Sequence, residues 1–383
     1  MTLREPDWED ARVAAHASAR PLPREIVPLP DAVDRVLATA VRALTPVPAF
    51  DTSAMDGYAV AGDGPWRLVG EVLAGHPFGR SLLAGECVGI ATGGEVPAGT
   101  TAVLRWEQAR VERGTVAGDV PAGRDIRPAG EEAPVGTELV AVGTLLGPAH
   151  VGLAAAGGAN AVEVVCRPTA TVLVLGDELL LHGPARDGRV RDSLGPQLPG
   201  WLRRLGVVTL DVRQVGDTLE AHVAALESAT TDLVVTTGGT AAGPVDHVHD
   251  ALSATGADLV VDAVAVRPGH PMLLAARPDR WVLGLPGNPQ SAVVALLSLG
   301  APLVAGLTGR PLPPLSGVTL AADVAAPPAE TRLALARLVD GWAHPVTHLG
   351  SGMLRGLAEA DGFAVVSPGG QPAGTTARWL PLP

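Results

Sequence analysis

The sequence predicts an α/β multidomain protein, in which a doubly wound parallel sheet is joined to domains made mainly of short strands. Three observations lead to this class. Between residues 169 and 309, short apolar runs alternate with segments of helical spacing, as in parallel sheets covered by helices. From residue 49 to about 137, and again after residue 310, short strands are separated by glycine and proline. The length of 383 residues suffices for two to four domains.

The composition and net charge of the chain argue against some classes of binding partner. Apolar residues make up 47% of the chain but aromatic residues only 3%, so the cores must be built from valine, leucine and alanine. A net charge of −12 argues against nucleic acid and against an anionic membrane surface as partners. The chain has no lysine, so all 28 basic residues are arginines. An anionic ligand would therefore depend on local arginines and on backbone N–H groups.

Cysteine usage and hydropathy predict a cytoplasmic protein. Cys87 and Cys166 show no paired spacing, which fits a reducing compartment. The first residues contain no apolar segment, so no secretion signal is expected. The most apolar window, residues 291–307, is shorter than a membrane span and is interrupted by Gly300 and Pro302. It predicts a buried helix rather than a membrane segment.

The flanks of the first β-rich segment predict a discontinuous domain. Residues 1–43 are predicted to be largely helical, with Ala32, Val33, Val36 and Leu37 on one face. Pro148–Ala159 predicts another helix and Val162–Val165 a strand. Residues 1–43 and 138–168 are therefore assigned to one N-terminal domain, into which a β-rich domain of residues 44–137 is inserted.

The second half of the chain carries the alternating pattern. It predicts strands at 171–175, 207–212, 233–236, 266–274 and 281–285, with helices at 197–205, 219–229 and 291–299. These elements form the predicted α/β domain, residues 169–309, whose sites should lie at the carboxyl ends of the strands. A proline-rich linker at 311–314 precedes a small β-domain within residues 310–383.

The segment Asp232–Asp250 has the strongest local pattern for a ligand site. A strand, Leu233–Val235, is followed by Gly238, Gly239 and Gly243, and then by a segment of helical spacing. Glycines let the backbone approach a phosphate, and a helix start offers free N–H groups. Asp246 is predicted in the first turn of that helix. A carboxylate at this position stabilises the helix dipole, and it is equally where a Mg²⁺ ligand beside a phosphate would lie.

Four further polar motifs stand at the ends of predicted strands. They are FDTSAMDGYAV at 50–60, IATGGEVPAGTTAVLRWEQ at 90–108, LGDELL at 175–180 and LPGNPQS at 285–291. Each motif taken singly also has a structural interpretation. For example, Asn288 is a good helix N-cap and Pro289 fits the first helical position.

Taken together and in this order, the motifs resemble the MoeA–gephyrin E-domain family, the molybdenum insertases of molybdenum cofactor synthesis. The resemblance includes SAMDGYAV, ATGG with WEQ, RDIRPAGEE at 124–132, GDEL, the Gly-Gly turn, RPGHP at 267–271, LPGNP and GSGML at 350–354. It covers nearly the whole chain. It implies a discontinuous first domain, an inserted β-domain, a molybdopterin-binding α/β domain and a C-terminal β-barrel. It also implies a homodimer with sites shared between subunits.

The resemblance implies an enzyme that acts on adenylated molybdopterin and molybdate with Mg²⁺, inserting molybdenum and releasing AMP. Other molybdenum cofactor synthesis proteins are possible partners. The positions that match the family's catalytic residues are Asp56, Thr92, Glu178, Asp217 and Asp246, of which Glu178, Asp217 and Asp246 are candidate metal ligands. The matching cofactor-binding positions are Gly238, Gly239, Thr240, Gly243, Arg267, His270, Pro286, Gly287, Asn288, Arg337 and Ser351.

Four departures from the family pattern keep alternatives open. Leu175 stands where the family has threonine, Leu194 where it has asparagine, Ala241 where it has serine, and His270 where it has lysine. The filled acidic positions favour catalysis. The lost polar groups favour a second hypothesis, a non-catalytic protein that binds or delivers the cofactor. A third hypothesis, an enzyme that adenylates molybdopterin, fits the multidomain layout poorly.

Overall fold

A computed structural model of the chain describes residues 2–240 and 247–383. The chain forms two compact units. The first comprises the chain up to Arg24 together with Val165–Pro383, and the second is Glu25–Val164. The predicted domain boundaries at residues 43, 137, 168 and 309 divide the chain more finely and stay predictions.

The helices and strands are numbered here in chain order. The helices are α1 (Trp8–Ser18), α2 (Pro148–Ala156), α3 (Leu194–Arg204), α4 (Leu219–Ser228), α5 (Val248–Ala254), α6 (Pro289–Ala295), α7 (Ala301–Leu307) and α8 (Leu354–Glu359). The strands of the first half are β1 (Leu3–Arg4), β2 (Arg24–Pro28), β3 (Val41–Arg42), β4 (Thr52–Ser53), β5 (Gly57–Val60), β6 (Trp66–Val72), β7 (Glu86–Ile90), β8 (Ala102–Arg105), β9 (Arg110–Glu112), β10 (Thr115–Ala117), β11 (Ile126–Arg127), β12 (Glu138–Val140) and β13 (Ala161–Val165). Those of the second half are β14 (Thr169–Leu175), β15 (Leu179–Leu180), β16 (Val190–Arg191), β17 (Val208–Val215), β18 (Leu233–Thr237), β19 (Asp258–Asp262), β20 (Val266–Arg267), β21 (Leu273–Ala276), β22 (Trp281–Leu285), β23 (Ser316–Leu320), β24 (Thr331–Val339), β25 (Trp342–Pro345), β26 (Gly362–Val366) and β27 (Thr376–Pro381).

The first unit is built on a seven-stranded sheet of order β1-β19-β21-β22-β18-β14-β17. The strands β22, β18, β14 and β17 are mutually parallel, whereas β21 runs antiparallel to both of its neighbours. Consecutive residues of β14 are buried on opposite faces, Val172 and Val174 with α3 and α6, and Leu173 and Leu175 with α4 and α5. Burial on both faces explains why these strands are continuously apolar. The predicted α/β class is confirmed.

The prediction of a largely helical segment to residue 43 is wrong beyond Ser18. Helix α1 ends there, and β2 begins at Arg24 after two prolines, Pro21 and Pro23. Proline cannot donate the backbone hydrogen bond that a helix interior needs. Of the apolar residues assigned to one helix face, Ala32 and Leu37 are buried in the core of the second unit without being helical. Trp8 and Ala11 of α1 belong instead to the core of the α/β sheet.

The single strand predicted at 266–274 is two strands in different sheets. Strand β20 pairs with β24, whereas β21 lies in the α/β sheet. The segment between them contains Pro268 and Gly269, the latter with a φ of 108°. Proline has no N–H for a sheet ladder and glycine permits this backbone conformation, so the chain leaves one sheet here and enters the next.

The predicted closing helix extends from Pro289 to Leu307 through α6, a π-helical segment at Leu296–Gly300, and α7. Within the described residues it is the one helix with the length and composition of a membrane span, but 94% of its apolar window is buried inside the protein. The core helix of a folded domain passes the same test. The expectation of a buried helix is therefore met.

The C-terminal strands form a closed sheet. Its order is β20-β24-β25-β23-β27-β26, and β26 pairs in turn with β24. This closure confirms the implied β-barrel. In the second unit the main sheet has the order β8-β5-β7-β6-β10-β9, and helix α2 and strand β13 form where a helix and a strand were predicted.

Candidate active site

Two of the predicted catalytic carboxylates lie on adjacent loops, at the carboxyl ends of β14 and β17. The backbone N–H of Asp177 donates to Oδ2 of Asp217 over 2.9 Å. Gly176 has a φ of 136°, and a Cβ at this position would lie 2.4 Å from Oε2 of Glu178. The carboxylate of Glu178 therefore lies directly against Gly176, one residue from the loop contact with Asp217. Glycine at 176 is favoured by this backbone conformation, which other residues rarely adopt.

The Gly-Gly turn follows β18, between the ends of β14 and β22. Gly238 and Gly239 have φ values of 84° and 66°. The N–H of Gly238 donates to the carbonyl of Leu285 over 2.8 Å, and a Cβ at Gly239 would lie 2.7 Å from Cγ2 of Val248. The buried Thr240 follows. The predicted site residues Gly243 and Asp246, like Ala241, lie outside the described residues.

A cavity of about 560 Å³ gathers several predicted ligand-binding residues. Five of them line it, namely Arg267, His270, Pro286, Asn288 and Ser351, and so does the unpredicted Arg332. Gly287, also predicted, lies beside the Gly-Gly turn, where its Cβ position would be 3.7 Å from Cα of Gly238. The cavity is therefore next to the turn at the carboxyl edge of the sheet, where ligands of α/β proteins bind.

The lining of this cavity is cationic. Nε of Arg267 donates to Glu330 over 3.0 Å, and Nε2 of His270 lies 3.3 Å from a carboxylate oxygen of Glu5. Nε of Arg332 is buried and has no hydrogen-bond partner among the described residues. A buried guanidinium N–H without a partner is costly, and the guanidinium group of Arg332 adds a positive charge to the lining.

Arg337, predicted as a ligand-binding residue, does not line this cavity. It is exposed on β24, where it pairs with His344 of β25. Arg332, five residues earlier on the same strand, takes a place in the lining. The sequence did contain a signal for Arg332, because it directly precedes the apolar run Leu333–Ala336. An arginine at this position lies where a strand enters the core.

The second unit holds the other two predicted catalytic residues in direct contact. Oδ1 of Asp56 accepts the backbone N–H of Thr92 over 2.7 Å and the Thr92 hydroxyl over 3.1 Å. Asp56 precedes β5 and Thr92 follows β7, and these two strands are antiparallel neighbours. The pairing brings motifs 36 residues apart onto one edge of the sheet. Asp56 and Thr92 are both exposed to solvent.

A buried histidine lies near Asp217 and was not predicted. His222 of α4 is 3% exposed, and its ring is 5.8 Å from that of His247 in an edge-to-face arrangement. Burial lowers the pKa of His222, while the charge of Asp217 acts in the opposite direction. The sequence signal was a histidine five residues after Asp217, in the first two turns of the helix that follows it.

The donor chemistry of the carboxylates fits a hard divalent cation. Glu178 and Asp217 supply anionic oxygens, the ligand type that Mg²⁺ prefers. Within residues 2–240 and 247–383, no group of three histidine, cysteine, aspartate or glutamate side chains is arranged to hold an ion. The remaining ligand expected from the sequence is Asp246, outside the described residues.

Two departures from the family pattern are core residues. Leu175 ends β14 and is 6% exposed, packed with α4 and α5. Leu194 is 5% exposed and begins α3, whose first N–H groups, those of Leu194 and Gly195, are capped by Oδ1 of Asp192 over 2.9 and 3.0 Å. Both leucines therefore stabilise the sheet and its helices, and neither offers a polar group to a ligand.

Most of the chain is similar to known protein families. Three family models match it: the MoeA N-terminal region (domains I and II) over residues 7–158, the probable molybdopterin binding domain over 171–306, and the MoeA C-terminal region (domain IV) over 317–382. A protein from Synechococcus elongatus named molybdopterin molybdenumtransferase is 33% identical over 382 residues, 93% of each chain. The chain belongs to the MoeA family.

Other MoeA relatives agree with this membership. A protein of the same name from Bacillus subtilis is 30% identical over 371 residues, covering 90% of this chain and 86% of its own. The crystal structure of a molybdopterin biosynthesis MoeA protein from Pyrococcus horikoshii has a TM-score of 0.83 at 25% identity, covering 99% of both chains. The resemblance inferred from the ordered motifs is thus confirmed, and so is the fold it implied.

Proposed function

We propose that this protein is a molybdopterin molybdenumtransferase, which inserts molybdenum from molybdate into adenylated molybdopterin and releases AMP. The observation that carries the proposal is the cationic cavity beside the Gly-Gly turn, at the same sheet edge as the Glu178 and Asp217 loops. The turn provides close backbone approach for a phosphate, and the carboxylates provide metal ligands. An enzyme of molybdenum cofactor biosynthesis that cleaves a phosphoanhydride needs both.

The cavity is proposed to receive the oxyanion. Arg267 and Arg332 carry permanent positive charges in its lining, and Ser351 contributes a hydroxyl. Guanidinium groups match tetrahedral oxyanions with directed N–H donors. His270 lies next to the carboxylate of Glu5. An imidazole carries a positive charge only when it is protonated. Molybdate held here would lie next to a substrate phosphate on the Gly238–Gly239 turn.

The carboxylates are proposed to hold Mg²⁺, with Glu178 and Asp217 as ligands together with Asp246. The ion would neutralise negative charge that develops on the cleaved phosphate. Asp217 accepts the N–H of Asp177, a contact that fixes its carboxylate before any ligand binds. Asp56 and Thr92 are proposed to act from the second unit, and a homodimer is proposed in which these residues serve the partner's α/β unit. The cytoplasm is the proposed location.

A second candidate, a non-catalytic binding or delivery protein, is favoured by one observation. Leu175 and Leu194 are buried core residues at positions where the family has polar ones. Each lost hydrogen bond to a charged phosphate costs about 1.5–3 kcal/mol, or roughly 10- to 150-fold in affinity. A carrier has no need of the retained carboxylates as metal ligands, which makes the enzyme the better-supported candidate.

The deciding experiment measures AMP release from adenylated molybdopterin in the presence of Mg²⁺ and molybdate. The wild type is compared with Asp217→Asn, whose side-chain carbonyl can still accept the N–H of Asp177. We expect AMP release by the wild type and a loss of about 100-fold or more in the variant. Asp211→Asn, an exposed change on β17, should leave the rate unchanged. A wild type that binds molybdopterin but releases no AMP would establish the carrier instead.

A further inference from the structure

A largely exposed tryptophan stands beside the Asp56–Thr92 pair. Trp106 begins a 3₁₀ turn directly after β8 and is 52% exposed. Its indole Nε1 donates to the carbonyl of Gly57 over 3.0 Å, and its backbone N–H donates to the carbonyl of Asp56 over 3.4 Å. The indole ring is thus anchored to the two residues that carry and follow the candidate catalytic carboxylate.

Trp106 is more exposed than the other tryptophans of the chain, of which Trp342 comes nearest at 44%. Aromatic residues make up only 3% of the sequence, and Trp8, Trp66 and Trp379 are at least 93% buried. Trp106 leaves about half of its surface in solvent although its N–H is already bonded to Gly57. An aromatic ring held by its own hydrogen bond loses little further freedom when a flat ligand covers it.

Among the polar groups around Trp106, Asp56 has one carboxylate oxygen available. Arg105, the preceding residue, is engaged in a two-pronged ion pair with Asp125 at 2.8 and 2.9 Å. Oδ1 of Asp56 is occupied by both donors of Thr92. Oδ2 of Asp56 has no hydrogen-bond partner among the described residues. An exposed aromatic face and an available carboxylate oxygen therefore share one edge of this sheet.

We infer that Trp106 is the platform on which the pterin ring of the substrate stacks, with Asp56 accepting from its donor edge. This inference rests on the proposed function and deepens it, since it assigns the ring-binding element to the second unit. Flat heterocycles stack on exposed tryptophan through dispersion and displaced water. A pterin presents a ring N–H and an amino group side by side, and either donor can bond to the available Oδ2 of Asp56.

Adenine, the other flat ring of an adenylated substrate, suits this arrangement less well. Its amino group is flanked by ring nitrogens that are acceptors, and these would face the carboxylate unfavourably. The inference therefore commits to the pterin ring, and the two rings can be separated experimentally with neopterin and AMP as probes.

The test compares Trp106→Leu, which keeps apolar bulk but removes the aromatic plane, with Trp106→Phe, which keeps a smaller aromatic plane and loses the indole N–H together with the five-membered ring. Neopterin binding is measured from the anisotropy of pterin fluorescence, and AMP binding by calorimetry. Stacking of one base is worth about 5- to 150-fold in affinity. We expect a loss in this range for neopterin with Trp106→Leu, a change of less than about threefold with Trp106→Phe, and no change for AMP with either variant.

Two controls separate stacking from a structural effect. Trp342→Leu alters another exposed tryptophan, in the other unit, and should leave neopterin affinity unchanged. Thermal unfolding of each variant reports whether the turn at 106–108 still folds. In the AMP-release assay, Trp106→Leu should raise KM for adenylated molybdopterin while kcat changes little, because Trp106 is proposed to contact the ring and has no part in phosphate cleavage.

Several results would overturn the inference. They are neopterin affinity equal in Trp106→Leu and wild type, no neopterin binding by the wild type, or a loss confined to AMP. Failure of the proposed function itself has a different signature. In that case the wild type releases no AMP, while the effect of Trp106→Leu on neopterin binding is still measurable.

Discussion

At the scale of single residues, the carboxylate of Glu86 makes the stability of the second unit depend on pH. Glu86 is buried at the start of β7 and accepts from Arg80 and Arg67, both over 2.8 Å, and from the N–H of Leu83 over 3.2 Å. The hydrogen bond from Arg80, followed by that from Leu83, lowers the pKa of Glu86 to about 2. The charged carboxylate is therefore favoured in the folded state.

This shift fixes the sign of a prediction. Because the folded pKa lies below the unfolded value of about 4.3, the stabilisation by Glu86 is fully present above that value and is lost as the pH falls towards 2. Glu86→Gln should be less stable than the wild type in urea unfolding at pH 6, and the difference should shrink steadily from pH 5 to pH 3. Arg80→Gln should flatten this dependence, because it removes the largest cause of the shift. A difference between wild type and Glu86→Gln that stays constant over this range would contradict the prediction.

At the scale of elements, close packing of α1 against α7 depends on a glycine. A Cβ at Gly306 would lie 2.6 Å from Cβ of Ala19 and 2.7 Å from the carbonyl oxygen of His16. Backbone on the facing segment cannot shift as a flexible side chain would. Gly306→Ala should therefore destabilise the first unit by about 1–3 kcal/mol, as overpacking of a close contact does.

Gly200, in α3 of the same unit, provides the matched control. A Cβ there would have no atom within 4 Å, and the residue lies inside a helix. Gly200→Ala should stabilise the same unit by about 0.5–1 kcal/mol, because alanine restricts the unfolded chain and suits a helix. Urea unfolding of each variant measures its free energy of unfolding, and the two values are compared. Destabilisation by both, or by neither, would show that the α1–α7 contact is not the cause.

At the scale of the whole molecule, the proposed dimer can be tested by complementation. Asp56→Asn and Asp217→Asn should each be inactive if both residues are needed. In a dimer whose sites take Asp56 from one subunit and Asp217 from its partner, a mixed dimer of the two variants contains one intact site. Equal mixing after subunit exchange should then restore about a quarter of the wild-type rate of AMP release. Light scattering provides the accompanying measurement of mass.

The outcome that would contradict this prediction is equally direct. A monomeric protein at micromolar concentration with full activity would show that each chain completes its own site. Mixed samples that contain hybrid dimers but recover no activity would place Asp56 and Asp217 of the same subunit in one site.

The sequence by itself determined the α/β class and most strands of the α/β sheet. These features are local: strands buried on both faces, such as β14 and β18, are continuously apolar because every side chain meets a core. The ordered motifs determined the family, since eight short patterns in one order are specific even though each has a structural interpretation.

Only the tertiary structure decided the features that depend on distant neighbours. Ala32 and Leu37 were assigned to one helix face but are buried without being helical. The N–H of Ala32 donates to Leu29 in a local turn, whereas Leu37 forms a bridge with Val164 of β13 and donates to the carbonyl of Thr144. Arg332 rather than Arg337 lines the cationic cavity, because β24 enters the core at its first residues and leaves it at its last. Asp56 meets Thr92 because β5 and β7 pair. Periodicity reports which side of an element is buried, whereas pairing between elements determines which side chains meet.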